Sequence, residues 1–372
     1  MRIAFMLGSL NRGGLETLML DVFRNKSYAK FDFIGIYRKN GAYLNDFIDT
    51  KVPFIHCGPQ GRCYVSYIIK LRKLLLKERV DIVHAQLSLD CLYAKLACVG
   101  TGIKVVETFH GYDYLSSPKV KQMGKLSIHL ADAVYFVSHF QKNCYVNQYK
   151  LSNKIEKKCR VVYNGIDFSK IDIKTDDLPD FMKNEASGKD GLLRLVMIGN
   201  FVSVRNQILV CKSLAVLKQK GFDNFLFYFI GRKDTSVPWM FEKCVDFCKE
   251  KGLSNVKFVG GRGDVPSILH NIDGFVYSSA SDTFGIAVVE AIAAGIPVLV
   301  NDLEIFKEIS NNGEIVTLYK TGDEYDLADK VISLLSNISQ FKQIAQKSAE
   351  KVKHNFSIQA HIDNLEVAYR SV

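Results

Sequence analysis

Two doubly wound α/β domains, each built on a parallel sheet, are the fold this sequence of 372 residues predicts. Short apolar runs alternate with helical periodicity along the chain, as in βαβ units whose helices cover both faces of a parallel sheet. The runs fall into two similar sets, separated by a charged, turn-rich stretch from Ile166 to Gly191. Length points the same way, since domains commonly hold roughly 100–200 residues. A hydrophobic content of 48% is enough for a sizeable core in each half.

In the first half the strand candidates are Ile3–Leu7, Phe33–Tyr37, Ile82–Ala85, Lys104–Thr108, Ala133–Val137 and Arg160–Tyr163. Gly13-Gly14 follows the first of them and precedes a helical run, Leu15 to Phe23, so the backbone there can approach a ligand closely. Tyr64 to Arg79 sets Ile68, Leu71 and Leu75 on one stripe, with Lys70, Arg72, Lys73, Lys77 and Arg79 outside it. That pattern predicts an amphipathic helix with a basic outer face. The linker carries Asp172, Lys174, Asp176, Asp177, Pro179 and Ser187-Gly188-Lys189-Asp190, and the domain boundary is placed between 168 and 169.

The second half repeats the alternation with Leu193–Ile198, Phe225–Ile230, Val256–Val259, Gly274–Tyr277, Pro297–Val300 and Glu314–Thr317. Within it, Ser281 to Pro297 puts two carboxylates, Asp282 and Glu290, around the Gly285 turn. A glycine turn can open a helix whose first N–H groups and dipole receive a phosphate. Asp282 is then on the loop, and Glu290, more than one turn into the helix, can accept hydrogen bonds from vicinal ribose hydroxyls. After Phe356-Ser357, the apolar positions Ile362, Leu365, Val367 and Ala368 suit a final helix over 357–372.

Composition excludes several classes. Nine cysteines, an odd number without paired CxxC spacing, read as reduced thiols, and the eight histidines show no metal-ligand spacing. The longest apolar run, Val288 to Val300, is interrupted by Glu290 and Gly295-Ile296-Pro297, short of the roughly 20 residues of a membrane span. Arg2 followed by Ile3 to Leu10 lacks a small-residue cleavage site, so it reads as a first buried strand of a cytoplasmic protein. The net charge of +10 is uneven: residues 1–172 hold 26 Lys and Arg against 14 Asp and Glu, and the remainder 23 against 25. No zinc-finger, RNP or basic-zipper pattern accompanies that excess, so nucleic acid is not expected, and an anionic membrane surface is the better partner for the basic half. Gly8 to Gly14 lacks the GxGxxG spacing of a dinucleotide site, which disfavours a dehydrogenase.

The Ser281–Pro297 segment resembles the donor-site signature of retaining GT-B glycosyltransferases of family 4, or glycosyltransferase group 1. There an acid, seven residues and Glu are followed by small residues, Gly, X, Pro and Val. Four further segments are similar in order and spacing: Gly13 to Glu16, Phe109 to Asp113, Tyr163 to Asp167, and Ile198-Gly199-Asn200 followed by Arg205-Asn206-Gln207. The resemblance implies two Rossmann-like domains facing a cleft, with acceptor recognition in 1–168, donor recognition in 169–356, and the last helix returning to the first domain.

The resemblance also implies roles. Gly13 and Gly14 would approach the donor diphosphate, with Glu16 supporting that loop or meeting acceptor. His110 would hydrogen-bond the transferred sugar, and Asp113 would orient the imidazole or touch acceptor. Arg205 would bind two phosphate oxygens as the nucleoside diphosphate departs. The family carries Arg where this chain has Asn200 and Lys where it has Arg205. Either Arg205 serves alone, or Arg232 or Arg262 reaches in, or activity is reduced. Arg262 otherwise would stack on the base. Asp282 replaces the usual glutamate as a catalytic-site acid and is one methylene shorter, so its reach to a sugar hydroxyl or to the reacting centre, and with it donor choice, would differ. Gly285 and Ile286 would offer N–H groups to the distal phosphate beside Phe284, and Glu290 would hold the ribose. The implied activity is retaining transfer of a hexosyl unit, without metal or cofactor, from a nucleoside diphosphate sugar, expected to be a UDP-sugar. The acceptor would be a hydroxyl of a lipid-linked or growing bacterial surface glycan (lipopolysaccharide, capsule or exopolysaccharide), met at the inner face of the membrane. Two alternatives stay open: a nucleotide-sugar epimerase of the same fold, and a non-catalytic sugar-nucleotide or glycan-binding subunit of a polysaccharide assembly complex.

Overall fold

The computed structural model describes residues 1–59, 63–172, 178–186 and 192–372. Of the linker residues named above, Lys174, Asp176, Asp177 and Ser187 to Asp190 lie outside the described residues. The chain forms two compact units, Met1–Ile166 with Phe356–Val372, and Asp167–Asn355.

The first unit holds a seven-stranded sheet of β1 (Arg2–Ser9), β2 (Asp32–Lys39), β3 (Phe54–His56), β4 (Ile82–Ala85), β5 (Lys104–Phe109), β6 (Ala133–Phe136) and β7 (Cys159–Val161). All pairs are parallel, in the order β3-β2-β1-β4-β5-β6-β7. Both faces are buried, which is why β1 reads as an unbroken apolar run. Ala4 and Met6 face one core with Leu71, Leu75, Ala94 and Ile128 from the helices Tyr64–Lys77, Ser88–Ala97 and Pro118–Leu130. Ile3 and Phe5 face the other, with Leu18 and Phe23 from the helix Gly14–Arg24. The final helix, Ile358–Tyr369, adds Ile358, Ile362, Leu365, Ala368 and Tyr369 to that second core.

The second unit holds a six-stranded parallel sheet of β8 (Leu193–Ile198), β9 (Phe225–Ile230), β10 (Val256–Gly260), β11 (Gly274–Tyr277), β12 (Val298–Asn301) and β13 (Thr317–Tyr319), in the order β10-β9-β8-β11-β12-β13. Cys211, Cys244 and Cys248 are buried free thiols, on the helices Gln207–Gln219 and Trp239–Glu250.

Four sequence expectations are corrected. β3 was not expected, because three residues after Pro53 are too few to show a period. The last strand is Thr317–Tyr319 and not Glu314–Thr317, because Asn311, Asn312 and Gly313 take left-handed backbone in a turn that delays it. In the basic helix Tyr67 takes the inner place beside Leu71 and Leu75, while Ile68 is half-buried at the margin. In the final helix Val367 is 68% exposed, one position off the stripe.

Candidate functional site

In both sheets the strand order reverses beside the first strand, between β1 and β4 and between β8 and β11, and ligands of doubly wound sheets bind at such switch points. In the second unit two loops meet there. The loop after β8 carries Asn200 and Arg205, and the loop after β11 runs from Ser278 to Gly285. The Ala280 N–H donates to Val204 O at 2.8 Å and the Asn206 N–H to Ser278 O at 3.3 Å, which binds the loops together. Asn301, at the end of β12, is 1% exposed. Its side chain accepts from the Ser279 N–H at 3.1 Å and donates to Ser279 O at 2.9 Å and to Thr321 Oγ1 at 3.0 Å.

On this frame the Arg205 guanidinium is fixed from three sides. Nη1 donates to Ser279 Oγ at 2.9 Å and pairs with Asp282 Oδ2 at 2.9 Å. The guanidinium carbon lies 5.1 Å from the centre of the Tyr277 ring, within cation–π range. The Tyr277 hydroxyl donates to the same Asp282 oxygen at 3.1 Å, and the Thr283 N–H donates to Oδ1 at 3.1 Å.

The helix Ile286–Ala293 starts at Gly285, which has φ 80°. Glycine is required there twice over: the conformation is left-handed, and an added Cβ would meet the Phe306 ring at 2.7 Å. Val288 and Val289 donate to Gly285 O, so the N–H groups before them, at Ile286 and Ala287, precede the first intrahelical bonds. Phe284 is buried, and Glu290 is half-buried on the helix.

Two expected donor residues, Asn200 and Arg262, have partners within the protein. Asn200 Oδ1 accepts from the Arg232 N–H at 2.9 Å, tying the loop after β8 to the end of β9. Arg262 forms a two-point pair with Asp264, Nε to Oδ1 at 2.8 Å and Nη2 to Oδ2 at 2.6 Å. Its guanidinium lies 5.4 Å from the centre of the Phe181 ring.

In the first unit, Gly13 caps the helix Gly14–Arg24, and the Glu16 carboxyl folds back so that an added Cβ on Gly13 would lie 2.6 Å from Oε2. Burial raises the Glu16 pKa from its ordinary value. His110 follows β5, and its Nε2 bonds Gln86 Oε1 at 2.8 Å. With that oxygen accepting, Nε2 carries the proton and Nδ1 is the acceptor. Burial, with the neighbouring His361, lowers the imidazole pKa to about 3, so His110 is neutral at physiological pH. Asp113 does not orient His110 through Nε2. Its Oδ2 accepts from the Ser88 hydroxyl at 2.6 Å, and its N–H donates to the Tyr145 oxygen at 2.7 Å. These groups border a pocket of ≈ 230 Å³, whose lining includes Arg38, Gln86, Ser88, Glu107, His110 and Asp113. Arg38 is paired with the buried carboxylate of Asp90.

Glu107 was missed in the sequence, although its signal was there: a single acid inside the apolar run of β5. It is fully buried, and the Ser88 and Ser127 hydroxyls beside it donate to Asp113 and to Gly124 O. Burial pushes its pKa up to about 8 from an ordinary 4.5. A carboxyl raised in the folded state contributes stability that is complete below about 4.5 and is lost as pH rises through about 8. Between pH 6.5 and 8 it should lower unfolding free energy by roughly 1–1.5 kcal/mol per pH unit. Glu107→Gln should remove that slope in denaturant titrations across the window; equal slopes in both proteins would disprove a neutral Glu107.

Comparison with known proteins follows the same two units. The sequence model of Glycosyltransferase Family 4 matches residues 12–170, and that of Glycosyl transferases group 1 matches residues 180–352. The N-acetyl-alpha-D-glucosaminyl L-malate synthase of Bacillus anthracis is 25% identical over 312 residues, 82% of this chain and 78% of that protein. The UDP-Gal:alpha-D-GlcNAc-diphosphoundecaprenol alpha-1,3-galactosyltransferase of Escherichia coli is 23% identical over 386 residues, 96% of this chain and 93% of that protein. Among solved structures, Anabaena HepE in complex with UDP superposes with a TM-score of 0.87 at 17% identity, covering 100% of both chains. With two Rossmann-like parallel-sheet units and both family matches in register, the chain belongs to the group 1, family 4 glycosyltransferases and has the GT-B fold.

Proposed function

We propose that the protein transfers a hexosyl unit from UDP to a hydroxyl of a lipid-linked or growing bacterial surface glycan, with retention of configuration and without a metal or other cofactor. The observation that carries this reading is the convergence of Arg205, Ser279 and the Gly285 helix start on the β8/β11 switch point. A guanidinium and outward N–H groups form a receptor for a diphosphate, and they stabilise the charge that develops as it leaves. UDP as the nucleotide is supported by the donor named for the Escherichia coli relative and by the UDP bound to Anabaena HepE. In the first unit, His110 stays a neutral hydrogen-bonding group toward the sugar, and the pocket beside it takes the acceptor.

The acceptor is reached at the anionic inner face of the cell membrane. Supporting this, Val65, Ile69 and Leu76 on the helix Tyr64–Lys77 are exposed beside exposed Lys70, Lys73 and Lys77, which suits shallow apolar insertion with headgroup attraction. No helix among the described residues is long and apolar enough to cross a membrane.

The test has two stages. A thermal-shift screen across UDP-, GDP- and ADP-sugars should show selective stabilisation by UDP-sugars. The selected donor is then incubated with a lipid-linked glycan acceptor in anionic vesicles, and separately with no acceptor. Transfer with the anomeric configuration kept supports the reading. An isomerised sugar from donor alone would replace it with the epimerase alternative, and neither product with the non-catalytic one.

A further inference from the structure

We propose that Asp282 is the resident counter-ion of Arg205, a carboxylate that an incoming diphosphate displaces from the guanidinium. The inference rests on the functional reading above and assigns one side chain of that site a role of its own.

The geometry favours exchange. Asp282 Oδ2 accepts from both Arg205 and the Tyr277 hydroxyl, while Oδ1 accepts from the Thr283 N–H, so both oxygens are already committed within the protein. When a diphosphate takes Arg205, Asp282 keeps Tyr277 and Thr283 and is not left as an unpaired charge. Arg205 in turn keeps the Ser279 hydroxyl and the Tyr277 ring, so its guanidinium stays aimed while its anion changes. The pair is not sealed from water, with side chains 21% and 10% exposed, so an anion can enter and replace the carboxylate. A diphosphate competes well because it carries more charge and offers two oxygens to the planar fork. Tyr277 thereby becomes a positioning residue, acting through both members of the pair.

Removing the competing carboxylate should tighten phosphate binding, the opposite of what loss of a ligand-touching acid produces. Calorimetric titration of UDP and of inorganic pyrophosphate into Asp282→Asn and Asp282→Ala should give dissociation constants about 1.5- to 5-fold lower than in the unsubstituted protein, the range of a partly exposed ion pair. Uridine, lacking phosphate, should bind equally to all. In an Arg205→Ala background the Asp282 substitutions should change nothing, because the double-substitution cycle isolates their coupling. Unchanged or weaker binding of both anions in the two variants, with native melting curves, would overturn the proposal while leaving the donor site in place. Should neither UDP nor pyrophosphate bind the unsubstituted protein, the donor site itself is wrong.

Discussion

Arg205→Ala is expected to lower glycosyl transfer about 10²–10³-fold, the cost of losing one preorganised group at a developing charge. Folding should be unaffected. The side chain is 21% exposed, and its loss leaves Asp282 with Tyr277 and Thr283 as donors, so no buried charge is stranded. Asn200, where the family carries a second cation, is spent on the Arg232 backbone, and Arg262 is neutralised by Asp264. With Arg262 already paired and the Arg232 side chain lying against Gly261, the loss should fall mainly on turnover. Single-turnover rates at saturating donor, compared with melting temperature, check this; turnover within threefold of the unsubstituted protein removes Arg205 from the site.

The second large effect concerns stability. Leu365 is 1% exposed in the final helix and packs in the same core as Phe5, Leu18 and Phe23. Leu365→Ala should destabilise the first unit by about 2–5 kcal/mol through lost transfer energy and the cavity left behind. That corresponds to a fall of roughly 5–15 °C in its melting temperature. Val367, two residues on and 68% exposed, is the control: Val367→Ala should stay within about 0.5 kcal/mol. Scanning calorimetry of the two variants distinguishes them, and equal melting shifts would mean that the helix does not seal this core.

The parallel sheets were legible because buried strands such as Ile3–Leu7 and Phe225–Ile230 are continuous apolar runs, and continuity survives without tertiary context. The edge strand Phe54–His56 was not, since Pro53 precedes it and none of its three side chains is fully buried, whereas the equally short Cys159–Val161 begins with a buried residue and runs on into buried Val162. In the candidate site, residue types and spacing located Arg205, Asp282, Gly285 and Glu290 on the loop and helix the fold gives them. Sequence could not tell that Asp282 turns toward Arg205, or that Arg262 meets Asp264 and Phe181. Such partners are set by which loops the sheet order makes neighbours, a property of topology and not of spacing. Tyr277, Ser279 and Asn301 were passed over for a related reason: Tyr277 and Asn301 end strands and Ser279 lies two residues past one, where a polar side chain next to apolar residues looks like an ordinary strand terminus.

That Phe356–Val372 belongs with Met1–Ile166 has a consequence for how the protein is made. A ribosome delivers the first sheet early, yet the helix that brings Leu365 to the core of Phe5 and Phe23 emerges only after the whole of the second unit. During synthesis the nascent chain therefore carries an uncovered aromatic face, while the later-made unit, contiguous in sequence, can close on its own first.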